Sequence, residues 1–138
     1  MGRELQLTNS YFDFLDLEMP QHLRIARPVS DLAKTKAMYC AGLGLAVLAA
    51  FENHEGFNGV MLGVRGSTYH FEFTCFQAHP LVPTPTSEDL AVFYFEAQNE
   101  WRAACSSMLS AGFKQVDSFN PYWDVREALI NSARILLE

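Results

Sequence analysis

His70 and Glu72 stand two residues apart in Tyr69-His-Phe-Glu-Phe-Thr74. Residues at i and i+2 of a strand share one face. An imidazole beside a carboxylate there reads as an acid/base pair or, more plainly, as a hydrogen-bonded strand feature. His54 falls in the turn Glu52-Asn-His-Glu-Gly56. It reads as an exposed turn residue, or as a pocket-rim donor or general base whose charge changes near neutral pH. Tyr122 and Trp123 follow Asn120-Pro121. They are either core anchors or an aromatic wall that stacks a planar ligand, with Asp124 and Arg126 near enough to supply polar contacts. His22 and His79 lie near element ends and receive no role. The chain holds no G-x-G-x-x-G, no G-x-x-x-x-G-K, no H-E-x-x-H and no G-x-S-x-G, so the motif-borne nucleotide, zinc-protease and serine-hydrolase chemistries are excluded.

These residues must be positioned by regular elements. Residues 22–29 alternate like a strand that Pro28 ends. Ser30 is a natural N-cap, with Asp31 adding charge at the positive helix end. The predicted helix runs to about Cys40 with Leu32, Thr35, Met38 and Tyr39 as its buried stripe, and Gly42 and Gly44 break it. Strands are predicted over 45–51, 57–64 and 68–76. The segment 79–88 carries Pro80, Pro83 and Pro85, which deny both helix and ladder, so it is an extended linker. A strand over 90–95 leads to a helix over 98–111, where Trp101, Ala104, Cys105, Met108 and Leu109 keep the 3.6-residue period. Strands over 113–119, 123–130 and 133–137 complete the second half. Each half thus reads β-α-β-β-β, over about 21–76 and 89–138. Two such units bury their faces only by packing together, which leaves a concave face between them. Residues 1–20 form a polar lead-in with an apolar cluster from Tyr11 to Leu17. They are read as an arm that packs on the body or on a second subunit, or as a frayed terminus.

Composition sets the outer bounds. The chain has 138 residues, 49% of them hydrophobic and 19% charged, which suits one folded domain over 21–138 and no disordered chain. Its net charge is −6, from 10 Lys and Arg against 16 Asp and Glu. Without a basic cluster it is a poor nucleic-acid or anionic-membrane binder. Three separated cysteines and no apolar leader fit a cytoplasmic protein.

Several stretches together resemble a known superfamily. Arg27-Pro-Val-Ser-Asp-Leu32 looks like its first strand-to-helix step, and Met38-Tyr39 with Gly42-Leu43-Gly44 like its F-Y-x-x-x-L-G helix exit. His54 to Gly63, Tyr69 to Thr74 and Asn120-Pro-Tyr-Trp-Asp124 are similar to an uncharacterised bacterial branch of it. By these stretches residues 22–138 resemble the vicinal oxygen chelate superfamily, which includes glyoxalases, extradiol dioxygenases and bleomycin-resistance proteins. The resemblance implies an α+β fold: two βαβββ modules forming a curled mixed sheet around a cup, with helices outside. It also implies a homodimer.

Metal enzymes of the superfamily hold one divalent ion in the cup. The resemblance places their four ligand positions at Arg24, Glu72, Leu90 and Leu136. Only Glu72 matches, and a guanidinium cannot ligate a metal. The final hairpin also departs from the family, because Arg126 to Arg134 is shorter than usual and lacks its D-P-D-G turn. An altered last hairpin is therefore expected. With Arg24 and Glu72 both inward, the two would form a partly buried salt bridge. That pair either replaces the lost metal structurally or receives an anionic or carbonyl-bearing ligand at Arg24, with Glu72 orienting it. The first functional expectation is therefore a glyoxalase/bleomycin-resistance-like protein that binds a small, anionic or aromatic molecule in the cup without cofactor. Its cup residues would be Arg24, Glu72, His70, His54, Tyr122 and Trp123. The second is a metal-dependent lyase, isomerase or dioxygenase with displaced ligands among His22, His54, His70 and Glu72. The third is a metal-free enzyme in which His70 or His54 moves a proton.

Overall fold

The structure is a computed structural model that describes residues 21–123 and 132–136. The arm expected over 1–20 lies outside the described residues, as does nearly all of the strand expected over 123–130. β1 (Leu23–Pro28) leads into α1 (Leu32–Leu43), followed by β2 (Ala46–His54), β3 (Phe57–Gly63) and β4 (Tyr69–Phe76). No helix or strand interrupts residues 77–89, where the prolines fall. β5 (Leu90–Tyr94), α2 (Gln98–Ser110) and β6 (Ser132–Leu136) follow.

The first half closes as the sequence pattern requires. Its sheet runs β1-β4-β3-β2, curled and open, with β1 parallel to β4 and the other pairs antiparallel. The parallel pairing needs a long crossover, and the segment from α1 through β3 supplies it. α1 packs against β3 and β4 and beside α2. The α+β class is therefore as expected, with a four-stranded sheet and helices on one side.

The local chemistry explains the helix ends. Asp31, not Ser30, is the N-cap of α1: its carboxylate accepts from the Lys34 N–H at 3.0 Å. Either residue type can cap, but the chain is still turning out of β1 at Ser30. Gly42 does not break the helix. It lies within α1, where a Cβ would sit 2.9 Å from Phe113 Cε2 and 3.2 Å from Met108 Cα. Its small size lets α2 and the residues after it come close. Gly44 makes the stop, with φ of 68°.

The core gathers on the helix side of the sheet. Phe71 and Phe73 of β4 meet Tyr39 of α1, with ring centroids 6.1 and 4.8 Å away. Phe113 closes on Tyr39 from the second half at 5.5 Å, and Phe93 of β5 lies 6.0 Å from Phe71. Leu62 and Phe73 are buried most completely. Burial pushes the Tyr39 phenol up to about 12.

The second half differs from its predicted pattern. β5 and β6 pair antiparallel as a two-stranded sheet. Residues 113–119 form no strand. The apolar residues Phe113, Val116 and Phe119 fall three apart, so they do not line one strand face. Phe113 packs inward, whereas Val116 and Phe119 are exposed. Trp123 lies in a helical turn over 121–123 instead of opening a strand.

Candidate functional site

The two faces of β4 part company residue by residue. Phe71 and Phe73 enter the core, so His70 and Glu72 must point to the opposite, helix-free face. β1 lies parallel beside them, with Arg24 opposite His70 and Ala26 opposite Glu72. His22, two residues before Arg24, falls on the same side. On β3 this face alternates glycine with larger side chains, with Gly59 and Gly63 flanking Met61, which lies opposite Glu72. The Phe51 ring lies over Gly59, and Leu48 lies over Gly63 against His70.

Four side chains converge there. The Arg24 Nε–H donates to His70 Nε2 at 3.1 Å. The Arg24 Nη1 pairs with Glu72 Oε2 at 3.1 Å, with the Arg24 side chain 50% exposed and that of Glu72 15% exposed. The His70 Nδ1 lies 2.5 Å from His22 Nε2. His70 is buried, and His22 is exposed. A guanidinium N–H only donates, so His70 Nε2 must be an acceptor. The His70 pKa is lowered from its ordinary value of 6.5, first by burial and then by His22 and Arg24, against an opposing pull from Glu72. Its surroundings therefore disfavour the charged ring.

The structure thus brings together three of the six residues singled out in the sequence: Arg24, His70 and Glu72. It adds His22, which the sequence offers only as a displaced metal ligand and not as a residue of the cup. The signal for His22 was available, since it precedes Arg24 by two residues and so shares its face. His54 is placed elsewhere, at the end of β2 in the turn to β3. It is exposed, and its ring stands 6.2 Å from that of Phe51. The turn is tight, with Asn53 at φ 47° and Glu55 at φ 51°. Tyr122 and Trp123 are also apart from the Arg24 group. Trp123 lines a cavity of about 700 Å³ on the helix side, together with Val29, Lys34, Met108, Phe113 and Phe119. Arg24, His70 and Glu72 do not line that cavity. Asp124 and Arg126 lie outside the described residues.

Among the described residues, no group of three or more His, Cys, Asp and Glu side chains is arranged to hold a metal ion. Among the same residues, no helix is long and apolar enough to cross a membrane.

Comparison with known proteins places the chain in a family. Residues 23–74 match the YycE-like N-terminal domain, and residues 88–131 match the YycE-like C-terminal domain. The uncharacterized protein YycE of Bacillus subtilis (strain 168) is 38% identical over 101 residues, which is 73% of each chain. A solved YycE protein of unknown function from Bacillus subtilis, described as a candidate glyoxalase/fosfomycin resistance protein, superposes with a TM-score of 0.71 at 36% identity over 77% of each chain. The family matches fall on both halves, one on each side of the linker, and the chain belongs to the YycE-like family.

Proposed function

We propose that this protein is a small-molecule-binding member of the vicinal oxygen chelate superfamily that receives an anionic ligand at Arg24 without a metal ion. The carrying observation is the state of the Arg24 guanidinium. It is anchored by His70 on one edge and Glu72 on another, yet its side chain remains half exposed. An arginine fixed in place and still open to solvent has given up its rotamer entropy in advance, which favours binding of an oxyanion. The solved relative's description as a candidate glyoxalase/fosfomycin resistance protein fits a small anionic or phosphonate ligand.

The donor set argues against a divalent ion at this place. Glu72 matches the superfamily's carboxylate position, but Arg24, a permanent cation, stands where another ligand belongs. The His70 Nε2 lone pair already accepts from Arg24, and its Nδ1 is taken up by His22. A dication would have to displace the guanidinium and break these contacts. The superfamily's metal chemistry therefore does not fit these residues.

The reading is tested by calorimetry with pyruvate, methylphosphonate and inorganic phosphate on protein whose metal content has first been measured. The expected result is saturable binding of at least one of these anions with less than 0.1 equivalent of metal per chain. The Arg24→Ala variant should lose about tenfold or more in affinity while keeping its far-UV spectrum. A wild type that binds none of the three anions, or a stoichiometric bound metal, overturns the reading.

A further inference from the structure

We propose that His22 is a second ligand-contacting group of the Arg24 site, fixed by His70 so that its outward ring nitrogen presents an N–H to a bound oxyanion. The proposal rests on the anion-binding reading above and assigns the residues that would define its ligand.

The Arg24 Nε–H is an obligate donor, so His70 Nε2 carries a lone pair. A neutral imidazole has one N–H and one lone pair, so the His70 proton is on Nδ1. That proton points along the 2.5 Å contact to His22 Nε2, which must then accept. The accepting nitrogen of His22 carries no proton. The proton of a neutral His22 ring is therefore on Nδ1. One arginine thus sets the tautomer of two histidines in series. Hydrogen positions follow here from pairing rules, which is the proper basis for assigning imidazole tautomers.

This order gives the open face a single polarity toward a ligand. An arginine carries five N–H donors. Nε is used by His70 and one Nη1 hydrogen by Glu72, so the rest remain for a ligand. His22 adds its Nδ1–H and is exposed. Donors from two side chains, one of them a guanidinium whose charge Glu72 balances, favour a compact hydrogen-bond-accepting oxyanion, a carboxylate or a phosphate-type group, over a cation or a neutral donor. The carboxylate of Glu72 then has an orienting role, because it holds Arg24 and repels anions that settle on its own side. His70 is a positioning residue: it touches no ligand in this account and acts through Arg24 and His22.

Two measurements test the proposal on the full-length protein. The first is ¹⁵N-edited imidazole spectroscopy at pH 7.5. His70 should show a protonated Nδ1 and an unprotonated Nε2, and His22 a protonated Nδ1. A His70 ring with its proton on Nε2 overturns the proposal. The second is calorimetry with pyruvate and inorganic phosphate on three proteins: wild type, His22→Phe and His22→Asn. His22→Phe should lose about tenfold in affinity, the scale of one hydrogen bond to a charged group, and His22→Asn should recover most of it because its amide N–H mimics Nδ1–H. Stronger binding of pyruvate assigns the site to carboxylates, and stronger binding of phosphate assigns it to phosphate-type groups. Unchanged affinity in His22→Phe overturns the role of His22 and leaves the Arg24 reading standing. A wild type that binds neither pyruvate, phosphate nor methylphosphonate removes both.

Discussion

Strand β4 has two faces that obey different rules. Its core face, Phe71 and Phe73, meets the ring of Tyr39 and is buried to within 2%. Its open face, His70 and Glu72, meets charges and lone pairs supplied by β1. The same eight residues serve both, because side chains alternate along a strand. On the core face, area removed from water decides the energy, and one aromatic ring is close to interchangeable with another of its size. On the open face, the identity of each atom decides what is possible, and the net energy of the contacts is small. One face stabilises the fold, and the other carries the proposed anion site.

The comparison breaks most sharply at Phe73. Phe73→Ala removes a fully enclosed ring and leaves a cavity against Tyr39, so it should cost about 3–5 kcal/mol. Urea unfolding would show this as a lower midpoint with little change in slope. The Arg24→Ala change, one strand away, should leave the urea midpoint nearly where it was. A midpoint shift as large as that of Phe73→Ala would make the open-face network structural and erase the distinction drawn here.

Gly42 gives a smaller effect of opposite origin. There the core is too full, since a Cβ would press on Phe113 Cε2 at 2.9 Å and on the Met108 backbone. The ring can turn, but the backbone of α2 cannot. Gly42→Ala, usually favourable inside a helix, should instead destabilise by about 1–3 kcal/mol. A stabilised variant would show that α1 and α2 have room to separate.

The legibility of the sequence divides along the same line. The core face was written in residue types: the alternation of Tyr69, Phe71 and Phe73, the stripe around Tyr39 and the prolines of 79–88 gave β4, α1 and the linker close to their observed bounds. Gly42 was misread because a glycine inside a helical pattern has two meanings, stop and close packing, and only the neighbouring helix decides between them. The segment 113–119 is not a strand because its apolar residues fall three apart, which leaves no single face to bury. The open face was legible in part. Arg24 and Glu72 came from spacing within the superfamily resemblance, and His70 from its place beside Glu72. His22 shares the face of Arg24 by spacing, but its contact with His70 depends on the pairing of β1 with β4, which no spacing within β1 reveals. Tyr122 and Trp123 sat near a turn that could have faced either side, and Trp123 lines the helix-side cavity instead.

The last and smallest difference between the two faces is one of slope with pH. The core face holds no group that titrates between pH 5 and 8. The open face holds His70, whose pKa is lowered from 6.5 by burial, His22 and Arg24. The sign follows from proton binding. Below pH 6.5 the unfolded chain takes up a proton on this ring, and the folded chain resists it. Stability is then fully present above pH 6.5 and falls as the pH drops through the folded value. Arg24 explains the resistance in atomic terms: a proton on His70 Nε2 would face the Nε–H that now donates to it. Urea midpoints measured at pH 7.5 and 5.5 should therefore draw apart for the wild type. They should draw apart less for His70→Gln, which cannot charge. Equal acid sensitivity in the two proteins would place the titrating group elsewhere and detach His70 from the arginine it is argued to hold.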